Sequence, residues 1–232
     1  MAAASARRVD LTLSAGDGLV ARVISTTAAA GDFTPGADGL ARRHTDLVDA
    51  PWTWLQQVHG ADVVVVTAPG DAAGEAADAA VTTVAGAPLS VRTADCVPVV
   101  LAGEGALAVV HAGWRGLVSG VVGCSAAAMS TLGVVATEAV IGPHICPTCY
   151  EFGATDLARM ADMFGTAVIA ETGTGRPALD LDATVRSALV DAGVTAVESV
   201  GGCTACDPGY WSHRARGDIG RQVTVAWLEK TL

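Results

Sequence analysis

Apolar positions come in short runs, and the runs alternate with turn residues along most of the chain. VDLTL and LVARVIST flank SAGDG, which predicts a hairpin. GDFTPGADG reads as a loop, and apolar residues at helical spacing in ADGLARRHTDLVDA predict a helix. TWLQQV, DVVVVT and AAVTTV are strand candidates, with a polar, glycine-containing loop at 69–78. In the middle, LSVRT, VPVVLA and LAVVH are apolar stretches short enough for buried strands. GLVSGVVGCSAAAMSTLG then predicts one helix that starts near Gly116 and ends at Gly133. EAVIGP is a strand, 154–164 and 182–192 are helices, TAVESV is a strand, and GRQVTVAWL closes the chain as another.

Strands and helices are mixed here without clean alternation. That favours an α/β or α+β fold, a single domain over 1–232 with mixed β-sheets and flanking helices, over a doubly wound parallel sheet. Neither a GxGxxG fingerprint nor a P-loop occurs, which argues against dinucleotide and Walker-type sites.

Of the 232 residues, 51% are hydrophobic, enough to bury a sizeable core. The formal charge is −10, from 14 basic and 24 acidic side chains. Such a surface argues against general binding of nucleic acid or anionic membrane, but leaves room for a small anion in a locally positive pocket. No apolar run reaches the roughly 18 residues that would span a bilayer. The opening MAAASARRVD has two arginines with no apolar stretch of signal-peptide type behind them. A cytoplasmic protein is expected, in which the six cysteines serve as thiols, ligands or nucleophiles rather than disulfides.

LQQVHGAD, RTADCVPV and AVVHAGWRG each place one soft or borderline donor beside a strand end: His59, Cys96 and His111. Ligands favour the crevice beyond strand ends in α/β sheets. Gathered there, the three would suit zinc, and three protein ligands leave a fourth position open, as catalytic sites do. Their bland alternative is a pair of hydrogen-bonded histidines and a small buried thiol. A third possibility is a cysteine hydrolase, with Cys96 as nucleophile and His111 as its base. Gln57, two residues before His59 in an extended stretch, should face the same side. It would orient substrate or bond the backbone. Asp95 would either support a metal-bound histidine or cap its turn. Arg115 and Arg214 are forked donors that could contact an anion, or ordinary surface arginines. Cys146-Pro-Thr-Cys149 and Cys203-Thr-Ala-Cys206 could form a four-cysteine metal site, or either pair a redox dithiol.

QVHG, TADCVPVVL, HAGWRG, IGPHICPTCYEF and CTACDPGYWSHRARGDIGRQ occur in the order found in the YfiH-type family, over roughly 55–228. Members are described as laccase-domain or polyphenol oxidoreductase proteins, as purine nucleoside phosphorylases and, in one branch, as peptidoglycan editing factors. The resemblance implies α/β/β/α layers and metal ligands at His59, Cys96 and His111. It also implies one zinc per chain and phosphorolysis of adenosine, inosine or guanosine. Adenosine deamination and methylthioadenosine cleavage would be related activities. The implied partners are a purine nucleoside and phosphate, with the chain a monomer or homodimer. Near the start STTAAAGDF lacks the family's frequent Arg-x-Gly-Gly loop, and Ala41-Arg42 stands where an Asn-Arg pair is usual. Copper-based polyphenol oxidation needs many more histidines than the five present, and His44, His144 and His213 are scattered in sequence.

Overall fold

The computed structural model describes residues 8–16 and 18–231. The predicted hairpin is β1 (Arg8–Ser14) and β2 (Leu19–Thr26); Asp17 and residues 1–7 lie outside the described residues. The next elements are α1 (Leu40–Leu47), β3 (Thr53–Trp54), β4 (Val63–Val66), β5 (Ala79–Thr82) and β6 (Leu89–Thr93). β7 (Val97–Gly103) and β8 (Ala106–Ala112) form the central hairpin, followed by α2 (Trp114–Val118), α3 (Val121–Thr131) and β9 (Glu138–Ile141). The rest is α4 (Ala154–Phe164), β10 (Ile169–Glu171), β11 (Pro177–Leu179), α5 (Leu181–Asp191), β12 (Ala196–Ser199), α6 (His213–Arg216) and β13 (Gln222–Lys230).

Two mixed sheets result. One runs β1-β2-β13-β6-β3 and the other β12-β9-β7-β8-β5-β4, with β10 and β11 a separate two-stranded ribbon. Parallel pairs occur only at β3–β6, β4–β5 and β9–β12 among the described strands. This mixture explains why the sequence shows no regular strand–helix alternation.

The side-chain period of two assigns each strand to two layers. In β7 and β8, Val100, Ala102, Leu107 and Val109 face the other sheet, against Leu89, Val91, Ala226 and Leu228. Val97, Val99, Leu101, Ala108 and Val110 face the opposite way, against Leu117, Val121, Met129, Leu157 and Val185 from the helices. Both faces of the hairpin are therefore covered, which is why its strands read as continuous apolar runs. On the outer face of the first sheet, Ile24, Val223 and Val225 pack with Phe33, Trp52 and the α1 residues Leu40 and Leu47. The order is α/β/β/α, in one α/β domain.

Several boundaries differ from the sequence reading. The single helix expected over 116–133 is two helices, because Gly120 adopts φ 86 and breaks the run between them. The first begins at Trp114, capped by Gly113, earlier than the expected start at Gly116. TWLQQV narrows to the two residues of β3, and Gln56 makes only an isolated bridge to Ala76. No helix among the described residues is long and apolar enough to cross a membrane.

Candidate active site

The chain passes from the first sheet to the second between Thr93 at the end of β6 and Val97 at the start of β7. Cys96 ends this crossover. The antiparallel register of β8 on β7 and β5 sets His111 opposite Pro98 and Val110 opposite Ala79. The start of β5, the start of β7 and the end of β8 thus share one end of the sandwich. The loop carrying His59 folds onto that end. The donor atoms of His59, Cys96 and His111 all lie within 4.8 Å of one another, with Cys96 Sγ 3.9 Å from His59 Nε2. The two imidazoles meet edge to face at 4.8 Å between centroids.

Asp78, which no sequence motif marked, organises the cluster. Its buried carboxylate accepts His111 Nδ1–H at 2.7 Å and the backbone N–H groups of Val58, His59 and Gly60 at 3.1, 2.9 and 2.7 Å. One carboxylate therefore ties the end of β8 to the His59 loop. It also fixes the His111 tautomer and turns Nε2 toward Cys96, where it could hold a ligand. The loop needs this support, because His59 sits at φ 61, a left-handed conformation that side chains disfavour. The signal that could have found Asp78 is its position, an acidic residue just before an apolar strand whose side chain must be buried.

Burial opposes ionisation of Cys96, but the His111 charge and hydrogen bonds from both histidines prevail and bring the thiol down to about 6. Burial likewise opposes a charged His111, and the Cys96 thiolate and Asp78 raise it to about 9. In the absence of another cation the two form a thiolate–imidazolium pair.

The donor set fits zinc. Tetrahedral Zn–N and Zn–S bonds of about 2.0–2.1 and 2.3 Å put nitrogen and sulfur about 3.6 Å apart. The observed 3.9 Å is close to that edge. Space has been kept clear beside the donors: a Cβ on Gly113 would lie 2.9 Å from His59 Cδ2 and 3.2 Å from Cys96 Sγ. Gly113 has φ −77, so it is required there for room rather than for backbone freedom.

The cluster opens into a cleft of about 530 Å³ whose lining includes Gln57, Arg92, Thr93, His213 and Arg221. Arg92 stacks over Trp54 at 5.4 Å and donates to the Leu55 carbonyl, while Arg221 Nη1 holds the carbonyls of Asp218, Ile219 and Gly220. Burial, then the charge of Arg221, lowers Arg92 from its usual value. Two guanidiniums thus line one cleft in a protein of net charge −10. Thr93 is only 2% exposed and its Oγ1 has no hydrogen-bond partner.

The sequence-selected residues fare differently around this cleft. Gln57 lines it beside His59, but its amide is spent on the backbone: Nε2 donates to Arg92 O and Oε1 accepts Arg92 N–H. Asp95 does not support a histidine. Its carboxylate accepts the Thr204 and Ser212 hydroxyls, both at 2.7 Å, and the Arg214 backbone N–H, which pins its own positive-φ backbone. Arg115 is exposed and stacks over Trp114 at 4.4 Å, outside the described cleft lining. Arg214 also lies outside that lining, over the ring of Tyr150 at 5.0 Å. Burial, and then the nearby Cys96 charge, push the Tyr150 phenol up to about 12. His44 stacks on Trp52 and His144 bonds the Gly142 carbonyl, whereas His213 joins the cleft. Arg92, Thr93, His213 and Arg221 are the cleft residues that sequence reasoning passed over.

A second cluster lies apart from this one. Cys146, Cys149, Cys203 and Cys206 bring all four sulfurs within 4.8 Å of one another, an arrangement that could bind a metal.

Comparison with known proteins agrees over nearly the whole chain. The crystal structure of Neisseria meningitidis protein NMB0706 superposes with a TM-score of 0.82 at 25% identity, over 97% of this chain and 100% of that one. YlmD from Geobacillus stearothermophilus gives 0.79 at 26%, over 94% and 99%. In sequence, the purine nucleoside phosphorylase SCO2081 of Streptomyces coelicolor is 41% identical over 82% of this chain and 80% of its own length. The purine nucleoside phosphorylase of Xylella fastidiosa is 42% identical over 75% and 71%. The model of one protein family matches residues 38–229, across both sheets and every residue of the cluster. On that match and those identities, the chain belongs to the family described as multi-copper polyphenol oxidoreductase laccase.

Proposed function

We propose that the protein is a zinc-dependent purine nucleoside phosphorylase, converting adenosine, inosine or guanosine and phosphate to free base and ribose 1-phosphate. One observation carries the reading: a His-Cys-His donor cluster opens into a cleft that also holds Arg92, Arg221 and the unpartnered Thr93 hydroxyl. The names of the relatives support the reaction class. The cleft volume of about 530 Å³ lies in the range of small-molecule sites.

A zinc ion on His59, Cys96 and His111 would supply Lewis acidity at a position facing the cleft. The protein's own groups do the rest. Arg92 and Arg221 draw phosphate in and orient it toward the sugar carbon. There the glycosidic C–N bond breaks, a phosphate oxygen takes the carbon, and the proton that hydrogen phosphate carried passes to the departing purine nitrogen. Thr93 Oγ1 receives a hydrogen bond from, or donates one to, a sugar or base atom. Asp78 keeps both histidines aimed while this happens. Adenosine deamination and methylthioadenosine cleavage require the same pocket and belong to the same reading.

A nucleoside panel scored for free base with and without phosphate tests it. Base release that depends on phosphate and yields ribose 1-phosphate supports the proposal, and release at equal rate without phosphate overturns it.

The Cys96–His111 pair favours one second reading, a cysteine hydrolase that could act on nucleosides or on cell-wall peptides. It requires Cys96 to react with iodoacetamide and to turn over substrate equally well in zinc-loaded and zinc-free protein. Copper-based polyphenol oxidation has little support in the site, because His44 and His144 are committed elsewhere.

A further inference from the structure

The CPTC and CTAC motifs follow β9 and β12, respectively. Those strands are parallel neighbours, so their C-terminal loops leave the same end of the sheet side by side. A bridge between His144 and Cys203 continues the pairing into the loops. The sulfurs then converge. Cys149 and Cys206 lie 3.2 Å apart, Cys146 and Cys206 3.8 Å apart. Cys203 Sγ accepts the backbone N–H groups of Cys146 and Cys206 at 3.2 and 3.4 Å.

We infer that Cys146, Cys149, Cys203 and Cys206 bind one structural zinc ion, which clasps the loop after β9 to the segment after β12. A tetrahedral tetrathiolate with Zn–S bonds of about 2.3 Å has sulfurs about 3.8 Å apart. The separations here scatter around that edge. Two disulfides would instead pull each sulfur to about 2.0 Å from one partner and give no reason for all four to gather. The backbone N–H groups aimed at Cys203 Sγ suit a thiolate, which accepts such bonds more strongly than a thiol.

The clasp reaches the active site through Asp95. Thr204, between the two clasp cysteines of CTAC, donates its hydroxyl to Asp95 Oδ1, and Ser212 and Arg214 on the same segment bond the same carboxylate. Asp95 immediately precedes Cys96. On the other loop, Tyr150 follows Cys149 and packs under Arg214. The ion therefore holds the wall behind Cys96, and the chain carries two zinc sites, where the sequence reading expected one.

The inference rests on geometry and stands whether or not the proposed reaction is right. Zinc is counted in the protein as purified, in Cys203→Ser and in His111→Ala. Two equivalents per chain in the unaltered protein, falling to one in each variant, are expected. A single equivalent that disappears in His111→Ala, or iron in place of zinc, overturns the clasp. A single equivalent in the unaltered protein, lost in Cys203→Ser and kept in His111→Ala, keeps the clasp and sinks the active-site ion instead. A measurement on the unaltered protein covers the case in which Cys203→Ser does not fold. Native alkylation should modify the exposed Cys124 and spare the four clasp cysteines until zinc is chelated. Thiols that stay unreactive after chelation and respond only to a reductant would mean disulfides and refute the proposal.

Discussion

Asp78 Oδ1 takes the Nδ1–H of His111 at 2.7 Å while the same carboxylate gathers three backbone N–H groups from the loop that carries His59. Two histidines distant in sequence are thus held by one buried acid. Asp78→Asn puts an amide where four N–H donors converge and removes the charge that holds the His111 tautomer. Zinc affinity at the active-site cluster is expected to fall by about 10- to 100-fold, the range typical for partners of metal-bound histidines. Competition with a chromogenic chelator reads it. An unchanged affinity would mean that Asp78 only shapes the loop.

Gly113 supports a cleaner test, because its backbone at φ −77 and ψ 158 accepts any side chain. Gly113→Ala adds a methyl group 2.9 Å from His59 Cδ2 and 3.2 Å from Cys96 Sγ. The expected outcome is a loss of zinc affinity with a melting temperature of the metal-free protein close to that of the parent. Equal zinc affinity would show that the donors have slack.

The Cys96–His111 pair sets a pH signature for the metal-free protein. Cys96 is depressed to about 6, so its thiolate forms above that value, well below an ordinary thiol. Its contribution to stability is present in full above the unfolded thiol value and lost as pH falls through about 6. His111 is raised to about 9, so its contribution is full below the ordinary imidazole value and lost as pH rises through about 9. The combined contribution is largest between those limits. Iodoacetamide alkylation of Cys96 should be half-maximal near pH 6 without zinc and suppressed with it. A midpoint near the ordinary thiol value would contradict the pairing.

Thr93 separates binding from folding. Its hydroxyl is buried without a partner, so Thr93→Val removes an unsatisfied polar atom and keeps the shape. The melting temperature should hold or rise, whereas KM for nucleoside should increase by about 5- to 150-fold, the equivalent of a lost hydrogen bond of about 1–3 kcal/mol. Thr93→Ser should restore most of it. Unaltered kinetics in Thr93→Val would remove the hydroxyl from the site.

Cys96 and His111 could be singled out in sequence because they stand at the start and the end of apolar strands, whereas His59 lies in the loop between β3 and β4, and the fold brings all three together. The central hairpin was legible because it is covered on both faces: β7 and β8 carry no polar side chain before His111. What stayed hidden depends on pairings between distant segments. Asp78 faces His111 only because β5 lies antiparallel to β8. Arg92 and Arg221 line the same cleft only because β13 lies beside β6. Arg115, close to His111 in sequence, lies in α2 and is exposed, stacked over Trp114. Gly120 did not read as a break, because its neighbours keep an apolar pattern on both sides of the left-handed turn.

The most direct test measures zinc content and phosphate-dependent base release together in His111→Ala, beside the parent protein. One zinc equivalent fewer per chain, with turnover lost and the circular dichroism spectrum retained, is the expected result. A folded variant that keeps the parent's full zinc content, or that still cleaves nucleoside at the parent's rate, would contradict the assignment of the cluster.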